Sequence, residues 1–286
     1  MILKNKVAIV TGGSRGIGRA VADEFAREGA QVAIAARTAH ELKAAAKEMG
    51  RLCGPVYAVR ADISKKKDVR AFVEKTVKKY GRIDILVNNA GVIGPIGPLS
   101  DIEIDEWVEA IHINLIGAFL CMKSVLPHMI KQRSGKIINL SGGGAVSPRP
   151  NFSAYSASKA AVVRLTETLA GELRRYNIQV NAIAPGMVKT KITRDVVAAA
   201  RRAGEKEFRE ASTCVRGGGT SPEKAARLAV FLASSASAGL TGKLISAQWD
   251  DWEFFGKNAR GINASSLYTM RRIDNRYFKE AKRCSR

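Results

Sequence analysis

Short aliphatic and β-branched runs punctuate the chain at VAIV (7–10), VAIA (32–35), ILVN (85–88), KIINL (136–140) and IQVNAIA (178–184). Runs that are apolar on both faces and only a few residues long read as strands buried on both sides. Between them, in stretches such as Ile17 to Glu28 and Val108 to Met122, apolar residues recur at three- and four-residue spacing. That spacing gives helices with one buried stripe. The alternation predicts βαβ units and hence an α/β fold, a doubly wound parallel sheet with helices on both faces.

The rhythm stops near residue 247. Residues 249–286 hold Trp249, Trp252, Phe254, Phe255, Tyr268, Tyr277 and Phe278, seven of the 18 aromatic residues in the chain. A disordered tail is poor in aromatics. The expectation is therefore one domain over 1–247 and an extension over 248–286 that packs on the core or on a neighbouring subunit. Leu267, Met270, Ile273 and Tyr277 stand at helical spacing and predict a short amphipathic helix in that extension.

Charge narrows the partners. The formal net charge is +21, with 38 Lys or Arg against 21 Asp or Glu before residue 250 and nine against five from residue 250 on. The charge is spread out, and a field of this sign attracts anions. A nucleic-acid groove interleaves basic residues with stacking aromatics; the body of the chain is aromatic-poor, so no nucleic-acid partner is expected. Cys53, Cys121, Cys214 and Cys284 are far apart and form no ligand pattern with His40, His112 or His128, so no metal site is expected. The start MILKNKVAIVTGG lacks the apolar segment and cleavage site of a signal peptide. No uninterrupted apolar run is long enough to span a bilayer. The expectation is a soluble, cytoplasmic protein without a membrane partner.

The first strand runs into TGGSRGIG, with Gly12, Gly16 and Gly18 at the turn and a helix beginning near Ile17. Glycines between strand and helix let the backbone approach a pyrophosphate at the positive end of that helix, which makes the sheet one of Rossmann type. An acidic residue at the end of the second strand would bind the ribose 2′-hydroxyl of NAD. Here the strand ends AAR, so Ala36 and Arg37 stand in that place. Arg37, with Arg15 from the loop, suits a 2′-phosphate, and NADP(H) is favoured over NAD(H).

Further motifs follow in order: AD at 61–62, NNAG at 88–91, Asn114 in HINLIGAF, YSASK at 155–159 and NAIAPGMVKT at 181–190. With these the chain resembles the short-chain dehydrogenase/reductase family over residues 5–247. The resemblance implies that Gly12, Ser14, Arg15, Gly16, Ile17 and Gly18 cradle the pyrophosphate and that Asp62 and Ile63 contact the adenine. It implies that Asn89, Ala90 and Gly91 flank the adenosine ribose, and that Pro185, Gly186, Val188 and Thr190 hold the nicotinamide end. By the same resemblance Tyr155 is the catalytic acid, Lys159 bonds the nicotinamide ribose, and Asn114 holds a water of a proton relay. Tyr155 and Lys159, four apart on a helix expected over 153–176, share one face, and a nearby ammonium is expected to lower the tyrosine pKa toward neutrality.

The pattern breaks thirteen residues before Tyr155, where the family has a serine and this chain has Gly142. Ser141 is one residue early and in a regular strand faces the other way, yet the flexible Gly142, Gly143 and Gly144 keep it a candidate, with Ser147 and Ser153 as further hydroxyls. Losing one oxyanion donor costs about 10² to 10³ in rate. Residues 191–219, the variable lid in the family, carry seven Lys or Arg against four Asp or Glu. An anionic substrate such as an acyl thioester or a nucleotide sugar fits that balance. The expectation is an NADP-dependent oxidoreductase that moves a hydride between nicotinamide and a ketone or secondary alcohol, assembled as a homo-oligomer, a tetramer or dimer, through its long helices. A silent NADP-binding sensor or scaffold is the alternative.

Overall fold

Strand β1 (Val7–Thr11) lies in mid-sheet, paired in parallel with β2 (Gln31–Ala36) on one side and β4 (Ile85–Asn88) on the other. With β3 (Tyr57–Arg60), β5 (Gly135–Leu140), β6 (Ile178–Ala184) and β7 (Leu244–Ser246), the sheet runs β3-β2-β1-β4-β5-β6-β7, every pairing parallel. This comes from a computed structural model, which describes residues 1–52 and 54–272.

Side chains alternate across the pleat. Ala8, Val10, Val32, Ile34, Ile85 and Val87 face one layer, built from α1 (Gly16–Arg27), α2 (Ala39–Leu52) and α9 (Pro222–Ala233). Ile9, Ala33, Ala35, Leu86 and Ile137 face the other, built from α3 (Lys66–Tyr80), α5 (Gly117–Gln132) and α6 (Ser153–Leu173). Both faces are apolar because both are covered, which is why the five runs stood out in the sequence. The two strands that did not stand out, β3 and β7, are the edges of the sheet, three or four residues long and only partly buried.

The stretch from Val108 to Met122 is one continuous rod with a defect. Helix α4 (Ile104–Ile111) passes through a π-helical turn, His112–Ile116, into α5. A π turn frees backbone groups from the regular ladder and often marks a functional site. By length and composition Ile104–Gln132 could cross a membrane; its apolar residues are interspersed with polar ones, so no single run revealed this. Here Cys121, Met122, Val125 and Met129 pack on the sheet, while Ile104, Val108 and Phe119 are exposed. The last predicted turn of α6 is a 3-10 turn, Arg174–Tyr176, closed by Asn177 with φ 57°.

Beyond β7 the chain folds back. Trp252 stacks near Phe231 and Phe255 lies 4.6 Å from the Tyr268 ring, against the α1/α9 layer. Lys243 is buried, and its Nζ donates to the carbonyls of Ser265 and Leu267, each at 3.0 Å. Glu167 on α6 accepts from the Met270 amide at 2.6 Å. The helix in this segment is the short α10 (Ala259–Ala264), and 265–272 is not helical; Leu267 and Met270 are therefore not on a helix. Ile273 and Tyr277, with Cys53 and Cys284, fall outside the described residues.

Candidate active site

Every site residue expected from the sequence except Gly16, Ile17 and Gly18, already in the first turn of α1, and Tyr155 and Lys159 on α6, belongs to a segment at or beyond the carboxyl end of a strand or to the π turn. In an open α/β sheet the ligand crevice opens where neighbouring strands send their connections to opposite faces. Here that point lies between β1 and β4.

The loop from Thr11 to α1 is shaped by contacts that leave no room for side chains. Gly12 and Gly16 adopt φ 67° and 57°, values that favour glycine. A Cβ on Gly18 would stand 2.2 Å from Asn89 Nδ2 and 2.4 Å from the Gly12 carbonyl. Asn89 Nδ2 donates to the Thr11 carbonyl at 2.9 Å, while Thr11 Oγ1 accepts from the amides of Asn89 and Ala90 at 3.0 and 3.1 Å. The loop is thus tied to the end of β4. No side chain caps α1, so its first amides remain for an anion. Thr190 closes the same space: a Cβ on Gly16 would lie 3.3 Å from its Cγ2. This cradle fits a dinucleotide.

Beyond β3, Asp62 accepts from the Ser64 hydroxyl and amide at 2.7 and 3.0 Å. Burial raises its carboxyl, but the Ser64 bonds and the charges of Arg37 and Lys65 outweigh that and hold it below the usual range. Ile63 is buried against Gly117. Arg37 is exposed beside Asp62, whereas Arg15 is engaged by the carboxylate of Glu41 at 3.1 and 3.2 Å. The two arginines therefore differ: Arg15 must exchange Glu41 for any phosphate it binds. Beyond β6, Gly186 has φ 79° beside Thr220 and Gln248, and buried Val188 accepts from Thr193 Oγ1 at its carbonyl. Pro185 sits between them and the end of β6. Ser14 lies in the glycine turn, its side chain without a hydrogen-bond partner among the described residues.

Tyr155 and Lys159 lie side by side on α6, both buried, with Lys159 Nζ 5.7 Å from the tyrosine ring centre and donating to the Leu140 carbonyl at 2.8 Å. Asn114, in the π turn, bonds both backbone groups of Val92 (Oδ1 from the amide at 2.8 Å, Nδ2 to the carbonyl at 2.9 Å) and donates to Ser158 Oγ at 3.1 Å. A Cβ on Gly91 would lie 3.0 Å from Asn114 Oδ1 and 3.6 Å from Lys159 Nζ, so the NNAG turn, the π turn and α6 meet at one point.

Opposite Tyr155 is Gly142. A Cβ there would stand 2.3 Å from the Tyr155 hydroxyl: the phenol occupies the room that a side chain at 142 would need. Ser141 is not a substitute. Its amide continues the β5/β6 ladder onto the Ile183 carbonyl, and its hydroxyl is buried without a partner; the alternation of the strand turns it away from Tyr155. Of the other two hydroxyls, Ser153 accepts from Trp107 Nε1 at 3.1 Å and Ser147 has no bond to Tyr155.

The expected depression of the tyrosine pKa is not met. Burial pushes the Tyr155 hydroxyl above its ordinary value, with Arg149 pulling against it, and the same burial pushes Lys159 down to about 8. Desolvation penalises both charged forms at once.

The cleft in front of Tyr155 is walled by α7 (Lys191–Ala198) and α8 (Glu205–Thr213). Ile93, Phe152, Tyr155, Val196, Ala203 and Ala211 form one buried cluster. A cavity of about 390 Å³ opens beside it, lined by Ile93, Gly94, Ile96, Asp195 and Arg202 among others. Four contributors went unsingled in the sequence. Thr11 and Ser158 lie inside quoted motifs, and their position there was the available signal. Arg149 and Glu207 join across 58 residues, and nothing local marks either.

The chain is similar to known proteins along most of its length. A profile of the short chain dehydrogenase family matches residues 6–201. A 3-oxoacyl-(acyl-carrier-protein) reductase of Thermotoga maritima is 38% identical over 245 residues, covering 86% of this chain and 97% of that protein. A short chain dehydrogenase/reductase of Aspergillus oryzae is 37% identical over 245 residues, covering 85% and 93%. Among solved structures, levodione reductase superposes with a TM-score of 0.79 at 30% identity, covering 85% of this chain and 96% of that one. NAD+-bound xylitol dehydrogenase superposes with 0.80 at 30% identity, covering 86% and 98%. These matches run along most of the chain, which belongs to the short-chain dehydrogenase/reductase family of NAD(P)-dependent oxidoreductases.

Proposed function

We propose that the chain is an NADP-dependent oxidoreductase acting on a ketone or secondary alcohol, with Tyr155 as the proton donor and acceptor. One observation carries this reading: Tyr155 and Lys159 are buried together on α6, at the point where Asn114 and Gly91 also converge. A bound nicotinamide supplies or accepts the hydride. The chain's own groups do the rest. Tyr155 holds the proton at the substrate oxygen, Lys159, anchored on the Leu140 carbonyl, bonds the ribose, and Asn114 in the π turn holds a water of the proton relay.

For the 2′-phosphate, Arg37 is the primary ligand and Arg15 a secondary one in competition with Glu41; Ala36 at the end of β2 presents no carboxylate to repel it. The relatives that are carrier-protein reductases and the net charge of +21 favour an anionic substrate, with 3-oxoacyl thioesters as the first class to try. Arg133 donates to the Arg175 carbonyl at 3.3 Å, and with Arg174 this corner offers cations to an acidic carrier. We assign subunit contacts to α5 and α6; Phe119 on α5 and Ile116, at the end of the π turn that leads into it, are exposed.

The test is oxidation of NADPH and of NADH by the purified protein over a panel of ketones and 3-oxoacyl thioesters, with cofactor binding followed by fluorescence. Turnover that prefers NADPH and vanishes in Tyr155→Phe, with binding retained, is the expected result. Tight cofactor binding without turnover on any substrate would instead favour a sensor or scaffold role.

A further inference from the structure

The Tyr155 hydroxyl has no hydrogen-bond partner among the described residues, and the family's serine is absent from position 142. The groups that do face this ring are few. From α6 comes Lys159, already committed to the Leu140 carbonyl. From the loop between β5 and α6 comes Arg149, whose guanidinium carbon is 4.1 Å from the Phe152 ring centre and 5.6 Å from that of Tyr155. From α8 comes Glu207, which receives Arg149 Nε and Nη2 on its two oxygens at 2.9 and 2.7 Å. Asp195 and Arg202 line the cavity farther out, Asp195 paired with Lys191.

Arg149 and Glu207 are both largely buried, at 14% and 19% side-chain exposure. A fork-to-fork pair of this kind fixes the guanidinium plane as well as its charge, and a cation over aromatic rings in a dry site is held more strongly than at the surface. The pair also joins the catalytic loop to the lid.

We propose that Arg149 is a positioning residue that serves Tyr155 where the serine is missing, and that Glu207 holds it there only while α8 is closed over the cleft. This rests on the reading of Tyr155 as the proton donor. Arg149 lies over the ring rather than at the hydroxyl, so it acts through its field and through packing. Charge on Arg149 opposes the burial that disfavours the phenolate, and closing the lid on substrate brings the ion pair and the proton donor into register together.

The experiment follows the Tyr155 phenol directly, by NMR of the full chain carrying tyrosine labelled at Cζ, with the signal assigned by its loss in Tyr155→Phe. Arg149→Met is expected to move the Tyr155 titration midpoint up by about one pH unit, the size of a partly screened charge at this distance. Arg149→Gln, a second neutral variant, should do the same, and Arg149→Lys should restore most of the wild-type midpoint. Glu207→Gln should raise KM for the best substrate several-fold. An unchanged midpoint in both neutral variants, or a midpoint in Arg149→Lys as high as in Arg149→Met, overturns the proposal. Because the titration needs no turnover, a protein that is inactive on every carbonyl tried would sink the functional reading and still report on Arg149.

Discussion

Adding one methyl group at position 142 tests the geometry of the site most sharply. A Cβ there would stand 2.3 Å from the Tyr155 hydroxyl, 3.1 Å from Cζ and 3.2 Å from Cε1. Ordinary contact between such atoms begins near 3.5 Å, so in Gly142→Ala the phenol must retreat by about 1 Å. Tyr155 is wedged in a cluster with Ile93 and Phe152 and has two side-chain torsions with which to move. A displacement of that size at a reacting group costs about 10² in rate. The expected result is kcat reduced about a hundredfold, cofactor affinity by fluorescence unchanged, and a loss of about 1–3 kcal/mol from overpacking. Gly142→Ser carries the same Cβ and adds a hydroxyl, worth about 10² to 10³ as an oxyanion donor. Its kcat should therefore exceed that of the alanine variant and fall within about tenfold of wild type. The ratio of Ser to Ala isolates the hydroxyl, since the steric demand is common to both. A Gly142→Ala enzyme within twofold of wild-type kcat would refute the reasoning, because Tyr155 could not then occupy this position during turnover.

Arg37→Ala should weaken NADPH by about 10- to 100-fold, the worth of one or two charge-assisted bonds, and leave NADH almost unchanged; equal losses for both would remove Arg37 from the 2′-phosphate. Lys243→Met leaves the Ser265 and Leu267 carbonyls without their donor, at about 2–4 kcal/mol, and should lower the melting temperature by about 5–10 °C; an unchanged melting curve would mean the extension is not held there. Lys159, at about 8 in the fold against an ordinary value of 10.5, binds fewer protons folded than unfolded between those pH values, so its cost to stability is fully present below about pH 8 and is relieved as pH rises. The stability of Lys159→Met relative to wild type, from urea melts, should accordingly fall by about 2–3 kcal/mol between pH 7 and pH 10, and a difference that does not vary with pH would show that the ammonium is not desolvated.

What could be read from the sequence was what is encoded locally. The five central strands are buried on both faces, so their composition alone betrays them, whereas β3 and β7 lie at the edges with mixed composition. The glycine cradle and the Tyr155–Lys159 pair are each contained within eight residues and one turn of backbone, so spacing placed them. The π turn at Asn114 escaped because it is a change of hydrogen-bond register within an otherwise ordinary amphipathic pattern. The surroundings of Tyr155 were hidden for a related reason: the nearness of Lys159 can be counted along a helix, but the burial that pushes the hydroxyl up also comes from Ile93, Val196, Ala203 and Ala211, far along the chain.

Gly142 joins these two kinds of information. In the sequence it is a missing serine, and a missing hydroxyl argues for a weakened enzyme. In the fold it is space that Tyr155 fills, with Arg149 held over the same ring by a carboxylate from the lid. A deletion read alone predicts only a loss, and the loss is real only if nothing else supports the phenol. The ion pair of Arg149 and Glu207 is that support in a form the sequence cannot display, because two common charged residues 58 positions apart acquire meaning only when α8 folds over the cleft. Activity in this chain should therefore depend on the lid more steeply than in a protein that keeps the serine, since here closing the cleft also assembles the electrostatics of the proton donor.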